Sequence, residues 1–180
     1  MKKSRWLDLV SPDMYLDTVH DLPLDELAER GIKGLIFDLD NTLLHWNVCQ
    51  VDNQIQSLLA RLRERGFRSC LLSNNRKDRV EVVAQVMGLP AIPKAGKPRR
   101  RAFRQALDIL QTKALETAVV GDQLFTDILG GNRLGLLTIL VVPLSHHEFI
   151  GTRVVRCIER SVLNLLLRRK LIKKTPPDLS

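Results

Sequence analysis

Cysteine is scarce in this 180-residue chain, which has three: Cys49, Cys70 and Cys157. They are odd in number, widely spaced and without a C-x-x-C pair, which argues against a disulfide-built scaffold. Three reduced thiols in a reducing compartment are expected. Aromatic residues are also few, with two Trp, one Tyr and five Phe. Little is left for stacking platforms, so nucleic acid is not the expected partner. No apolar run approaches the roughly 20 residues that cross a bilayer, and no transmembrane segment is expected. The basic start, Met1 to Trp6, lacks the apolar core of a signal peptide. There is no internal repeat and no low-complexity tract. The expected location is the cytoplasm or an organelle interior.

Charge is what the chain has in excess. The net charge is +8, and it is uneven. One cluster runs from Lys94 through Lys97, Arg99, Arg100 and Arg101 to Arg104. Another runs from Arg153 to Lys174. Such a surface attracts phosphate esters, nucleic acid or anionic lipid, and charge alone does not choose among them. The length suits one domain, and a chain of this size buries roughly 70% of its unfolded surface.

Periodicity predicts alternating strands and helices. Leu35 to Leu39 reads as a buried strand after an irregular lead-in that ends in a short helix, Leu24 to Arg30. Asp52 caps a helix with Ile55, Leu58, Leu59 and Leu62 at i, i+3, i+4 and i+7. Phe67 to Ser73 is the next strand, and a helix follows with Val80, Val83, Ala84 and Met87 on one face, stopped by Gly88. Pro98 is placed at the first turn of a third helix carrying Phe103, Ala106, Leu107 and Leu110. Thr117 to Val120 is a strand, Thr126 to Leu134 a helix despite Gly130 and Gly131, and Leu136 to Val142 a strand. A basic helix runs from Thr152 to about Leu171. This alternation predicts an α/β, Rossmann-like three-layer sandwich with a mostly parallel sheet. Ligands then bind beyond the carboxyl ends of the strands, where Asp38, Ser73 and Asp122 lie.

Asp38 and Asp40 are two residues apart, so on an extended strand end they point the same way. Like carboxylates held close need a shared cation or proton. A hard divalent ion such as Mg²⁺ meets that need, and Asp122 offers a third carboxylate. Taken singly, each piece has a plainer reading. Asp38-Leu39-Asp40-Asn41 is also a turn, Ser73 also a helix cap, and Lys97 also one cation of a solvated face. The adjacent His146 and His147 read as a surface loop, while His45 and Trp46 fall where they would rim a substrate entrance.

Together these segments carry a resemblance. Asp38-Leu39-Asp40-Asn41-Thr42, Ser73, Lys97 and Gly121-Asp122 with Asp127 resemble, in order and spacing, the four motifs of the haloacid dehalogenase (HAD) phosphohydrolases. The resemblance implies the HAD fold, with Asp38 as nucleophile and Asp40 as general acid and base. Mg²⁺ would bind the Asp38 and Asp122 carboxylates and the Asp40 carbonyl. Ser73, Asn74 and Thr42 would face the phosphate, Lys97 would stabilise the transferring group, and Asp127 would support Lys97 or a metal-bound water. No room exists for the cap domain that many HAD enzymes insert, so the site is expected to be open.

Most of the chain is similar to the YqeG-like, subfamily IIIA group, related to phosphatidylglycerophosphatase. The segments that carry this are Pro12 to Tyr15, Gly31 to Gly34, Asp38-x-Asp40-Asn41-Thr42-Leu43, and Gly121 to Ile128 with Gly131-Asn132. This implies phospholipid biosynthesis, with phosphatidylglycerophosphate hydrolysed at an anionic membrane surface by a peripheral enzyme on the inner membrane face. The alternatives are a soluble sugar, nucleotide or protein phosphate, or a non-catalytic basic scaffold that binds RNA or a protein. Independently, Val154, Val155, Ile158, Val162, Leu165 and Leu166 share a helical face. That stripe either docks on a membrane or covers the core. The Arg99 to Arg101 run is either a solvated face or a grip for a second phosphate. The expected divisions are a lead-in packed on the core (1–30), the phosphatase core (31–150), the basic amphipathic helix (151–174) and a tail (175–180).

Overall fold

The computed structural model describes residues 5–46, 48–145, 150–172 and 174. His146, His147, Lys173 and the 175–180 tail lie outside the described residues.

Among the described residues, six strands form one sheet in the order β1-β6-β5-β2-β3-β4. They are β1 (Met14–Leu16), β2 (Gly34–Phe37), β3 (Arg68–Leu72), β4 (Ala91–Ile92), β5 (Thr117–Gly121) and β6 (Leu137–Val141). Every pairing is parallel. The helices are α1 (Arg5–Val10), α2 (Leu24–Glu29), α3 (Asn53–Glu64), α4 (Lys77–Met87), α5 (Arg100–Leu110), α6 (Leu129–Asn132) and α7 (Ile150–Arg168). Side chains alternate between the sheet faces, as a strand requires. Leu35 and Phe37 join the apolar residues of α2, α3 and α4. Ile36 and Val119 instead meet Ala102, Phe103 and Ala106 of α5. A third cluster sets Leu7, Val10, Val162, Leu166 and Ile172 against Leu140. The result is an α/β three-layer sandwich.

Local chemistry explains the elements. Asp52 caps α3 by accepting from Ile55 N at 2.8 Å, and Gly88 ends α4 in the left-handed region. The lead-in holds more than the short helix read from its sequence. It supplies α1 and the edge strand β1, fixed by Asp13, whose carboxylate accepts from Thr138 N at 2.7 Å. The helix placed at Pro98 begins two residues later, at Arg100. The segment read as one helix from Thr126 begins earlier, as a π-turn over Leu124–Ile128, and only then becomes α6. Its glycines are there for close approach. A Cβ on Gly130 would overlap the Phe103 ring of α5.

The chain moves outward from β2 through β3 to β4, then returns to lay β5 on the other side of β2. That reversal opens a crevice at the carboxyl ends of β2 and β5. Among the described residues, no inserted domain stands between β2 and α3 or between β3 and Lys97.

Candidate active site

Phe37 and Val120 are register partners, and Asp38 N donates to Val120 O at 2.9 Å. The residues that follow each strand therefore leave the sheet side by side. One oxygen each of Asp38, Asp122 and Asp127 lies within 4.8 Å of the others. All three residues are buried.

Asp127 comes from the π-turn. Its Oδ2 accepts from Gln123 N at 3.3 Å and from Thr126 Oγ1 at 3.2 Å. Gly121 makes its entry possible, because a Cβ there would overlap the Asp127 carboxyl. The same turn is held from behind by buried Glu159 of α7, which accepts from Phe125 N at 2.8 Å.

Lys97 enters from the loop after β4. Its ammonium is buried and donates to Asp38 Oδ1 and to Asp127 Oδ1, the latter at 2.7 Å. This excludes a solvated face for Lys97. Asn74 clamps its backbone from both sides. Lys97 N donates to Asn74 Oδ1 at 2.8 Å, and Asn74 Nδ2 donates to Lys97 O at 3.4 Å. Ser73 Oγ accepts from Asn75 N at 3.1 Å. Thr42 Oγ1 donates to Asp122 Oδ1 at 3.4 Å. Asn41, with φ of 64°, turns the chain after Asp40, and its Oδ1 accepts from Ser145 Oγ at 2.9 Å.

Asp40 takes different partners from Asp38. Strand β2 ends at Phe37, so strict alternation no longer governs Asp40. Its Oδ1 lies 2.8 Å from Arg79 Nη1 of α4, and its Oδ2 accepts from Asn75 Nδ2 at 3.0 Å. Asp127, not the Asp40 side chain, completes the carboxylate trio. His45 and Trp46, proposed as an entrance rim, are exposed.

The electrostatics follow from burial. Removal from water pushes the Asp38 carboxyl up to about 6. Lys97 opposes this, but the charges of Asp127 and Asp40 add to it. For Lys97, burial alone would lower the ammonium; the carboxylates of Asp127 and Asp38 outweigh it and hold it above its ordinary range. One ammonium shared between two carboxylates stays charged and still leaves the cluster short of positive charge.

Three contributors escaped the sequence reading: the Asn74 side chain, Glu159 and Arg79. For Arg79 a signal existed. Helical side chains lean toward the helix N-terminus, and Arg79 is the third residue of a helix that starts at the strand ends.

Comparison with known proteins agrees with this geometry. A HAD-hydrolase-like family model matches residues 94–143. The chain is similar to the probable phosphatase YqeG of Bacillus subtilis, 38% identical over 158 residues, covering 88% of this chain and 92% of that protein. It is 30% identical over 161 residues to the chloroplastic phosphatidylglycerophosphate phosphatase 1 of Chlamydomonas reinhardtii, covering 84% of this chain but 60% of that protein. The fold resembles the cobalt-bound deoxy-D-mannose-octulosonate 8-phosphate phosphatase YrbI of Haemophilus influenzae. That match has a TM-score of 0.51 at 14% identity, covering 75% of this chain and 89% of that one. Four motif segments gathered at one crevice, with a relative matched over nearly its whole length, make the chain a member of the HAD-like hydrolases, among the phosphatases related to YqeG.

Proposed function

We propose that the chain hydrolyses phosphomonoesters through a phosphorylated Asp38, with Mg²⁺, and that its substrate is phosphatidylglycerophosphate. The observation that carries the chemistry is Lys97, buried between Asp38 and Asp127 beside Asp122. The donor set fits a hard cation, since carboxylate oxygens are what Mg²⁺ prefers. Asp38, Asp122 and the Asp40 carbonyl would hold it. When bound, Mg²⁺ supplies the positive charge that offsets repulsion between an anionic nucleophile and an anionic phosphate.

The chain's own groups do the rest. An Asp38 oxygen attacks phosphorus, and the bond to the leaving oxygen breaks. Asp40 gives that oxygen a proton, then takes one from the water that hydrolyses the aspartyl phosphate. The Lys97 ammonium steadies the phosphoryl oxygens as charge shifts among them. Ser73 Oγ already accepts from Asn75 N, so its own proton is available for a phosphoryl oxygen, with the Asn74 N–H beside it. Thr42 lines the phosphate side next to Asp122, and Asp127 orients Lys97.

The lipid assignment is supported by the Chlamydomonas relative and by α7. Val162 and Leu166 of that helix are buried, while Ile158, Leu165 and Leu167 are exposed, alongside exposed Arg160 and Arg168. A basic helix with apolar residues to spare suits an anionic surface. No described helix is long and apolar enough to cross a membrane.

The test is phosphate release from phosphatidylglycerophosphate in vesicles and from soluble sugar and nucleotide phosphates, with Mg²⁺ present or chelated. Metal-dependent release favouring the lipid is expected. Release from soluble esters alone would remove the lipid assignment, and no release from any substrate would remove the enzyme.

A further inference from the structure

Among the described residues, Arg79 is a strong cation beside the site that the mechanism above leaves without work. Its side chain is 11% exposed. Nη2 donates to Val48 O at 2.8 Å, which pins the guanidinium to the loop after the first motif. Nη1 lies 2.8 Å from Asp40 Oδ1, yet the contact is poorly aligned. Nη1 and Nε are buried and direct no N–H at an acceptor, and Asp40 Oδ1 receives none. A buried donor left unmade is costly. Arginine is also the side chain whose planar fork suits phosphate and carboxylate oxygens.

Its position says which part of a substrate would meet it. Asp40, its neighbour, is the group assigned to the leaving oxygen, whereas Lys97 and Ser73 face the transferring phosphoryl group. A ligand atom near Arg79 therefore belongs to the leaving alcohol. The Arg99 to Arg101 run is a weaker candidate for this work, because all three are exposed.

We propose that Arg79 is a specificity residue that binds a second anionic group, of the phosphate class, carried on the alcohol released by the reaction. The inference deepens the proposed function and rests on it. A phosphomonoester whose alcohol also bears a phosphodiester, as a phospholipid headgroup does, meets the requirement. A simple alkyl or sugar monophosphate does not.

Two soluble probes isolate the effect from any membrane: propane-1,3-diyl bisphosphate, which carries the second anion, and 3-hydroxypropyl phosphate, which lacks it. With Mg²⁺, the wild-type chain is expected to show a kcat/KM for the bisphosphate about tenfold to a hundredfold higher, the usual range for a charge-assisted hydrogen bond. Arg79→Gln should erase most of that preference, and Arg79→Lys should restore part of it. A wild-type ratio near one would overturn the proposal without recourse to any variant. So would an Arg79→Gln enzyme that loses the same factor on both probes and shifts the pH profile of kcat, since that is the mark of a residue that only orients Asp40. Failure of the wild type to release phosphate from the bisphosphate while it hydrolyses phosphatidylglycerophosphate would overturn this inference alone, and failure on every ester would bring down the proposed function with it.

Discussion

Lys97 and Asp38 show how burial turns a simple ion pair into a titrating device. The Asp38 carboxyl is raised from 3.8 to about 6 because it is out of water and has an acidic neighbour on either side. The sign of its linkage follows. The folded value lies above the unfolded one, so its contribution to stability is full below about pH 4 and fades as the pH climbs through 6. For metal binding the sense reverses, because below pH 6 a cation must first displace the Asp38 proton. Mg²⁺ affinity in isothermal titration should therefore weaken by up to about tenfold per unit as the pH falls below 6, and level off above it. If Asp38 is the nucleophile as proposed, Asp38→Asn should lower kcat for phosphate release by at least about a thousandfold, while thermal unfolding shows a folded chain. Asp38, Ser73 and Asp122 were legible in the sequence because each sits at or just past the end of an apolar run, whereas Lys97 and Asp127 were picked out only by their resemblance to the HAD motifs. The double grip of Asn74 on the Lys97 backbone was not, because residues 23 apart in the chain meet only once β4 has closed against β3.

At the level of elements, the segment after β5 departs furthest from its sequence reading. Two consecutive glycines look like helix breakers. In the fold they are contact points: Gly130 lies against the Phe103 ring and Gly131 against Val119 and Thr138. Periodicity sees polarity and spacing but not how near another element will come. Gly130→Ala should cost about 1–3 kcal/mol by overpacking, which calorimetry would record as a Tm lower by about 2–4 °C for each kcal/mol. Phe103→Leu in the same chain should recover part of the loss. The stripe on α7 divides in a way that spacing could not reveal. Val162 and Leu166 face the core, while Val155, Ile158 and Leu165 remain exposed. Covering the core and leaving an apolar flank outside are properties of one helix.

For the molecule as a whole, the proposed lipid substrate gives the surplus of eight positive charges a measurable consequence: binding to anionic surfaces is expected. Each basic residue near such a surface contributes about 1 kcal/mol. Removing three by Arg168→Gln, Arg169→Gln and Lys170→Gln should therefore weaken flotation with anionic vesicles about a hundredfold. Added salt should weaken the unmodified chain in the same direction. Turnover of a soluble monoester should survive those changes, because none of the three lies at the crevice. The four central strands were legible from the alternation of strands with amphipathic helices, but the two edge strands were not placed. Met14 to Leu16 and Ala91-Ile92 are too short to show a period, and only their pairing with β6 and β3 identifies them as strands.

That pairing also sets an order of events during synthesis. Asp13 reaches Thr138 across 125 residues of chain. Within this sheet, β1 leaves the ribosome before its partner β6 and is thus obliged to wait for it, so the enclosing of β1 comes late in the folding of the sheet. Nascent chains halted before β6 should present that stretch to proteases and chaperones, while the central β2–β3 pair, joined by local connections, is already protected.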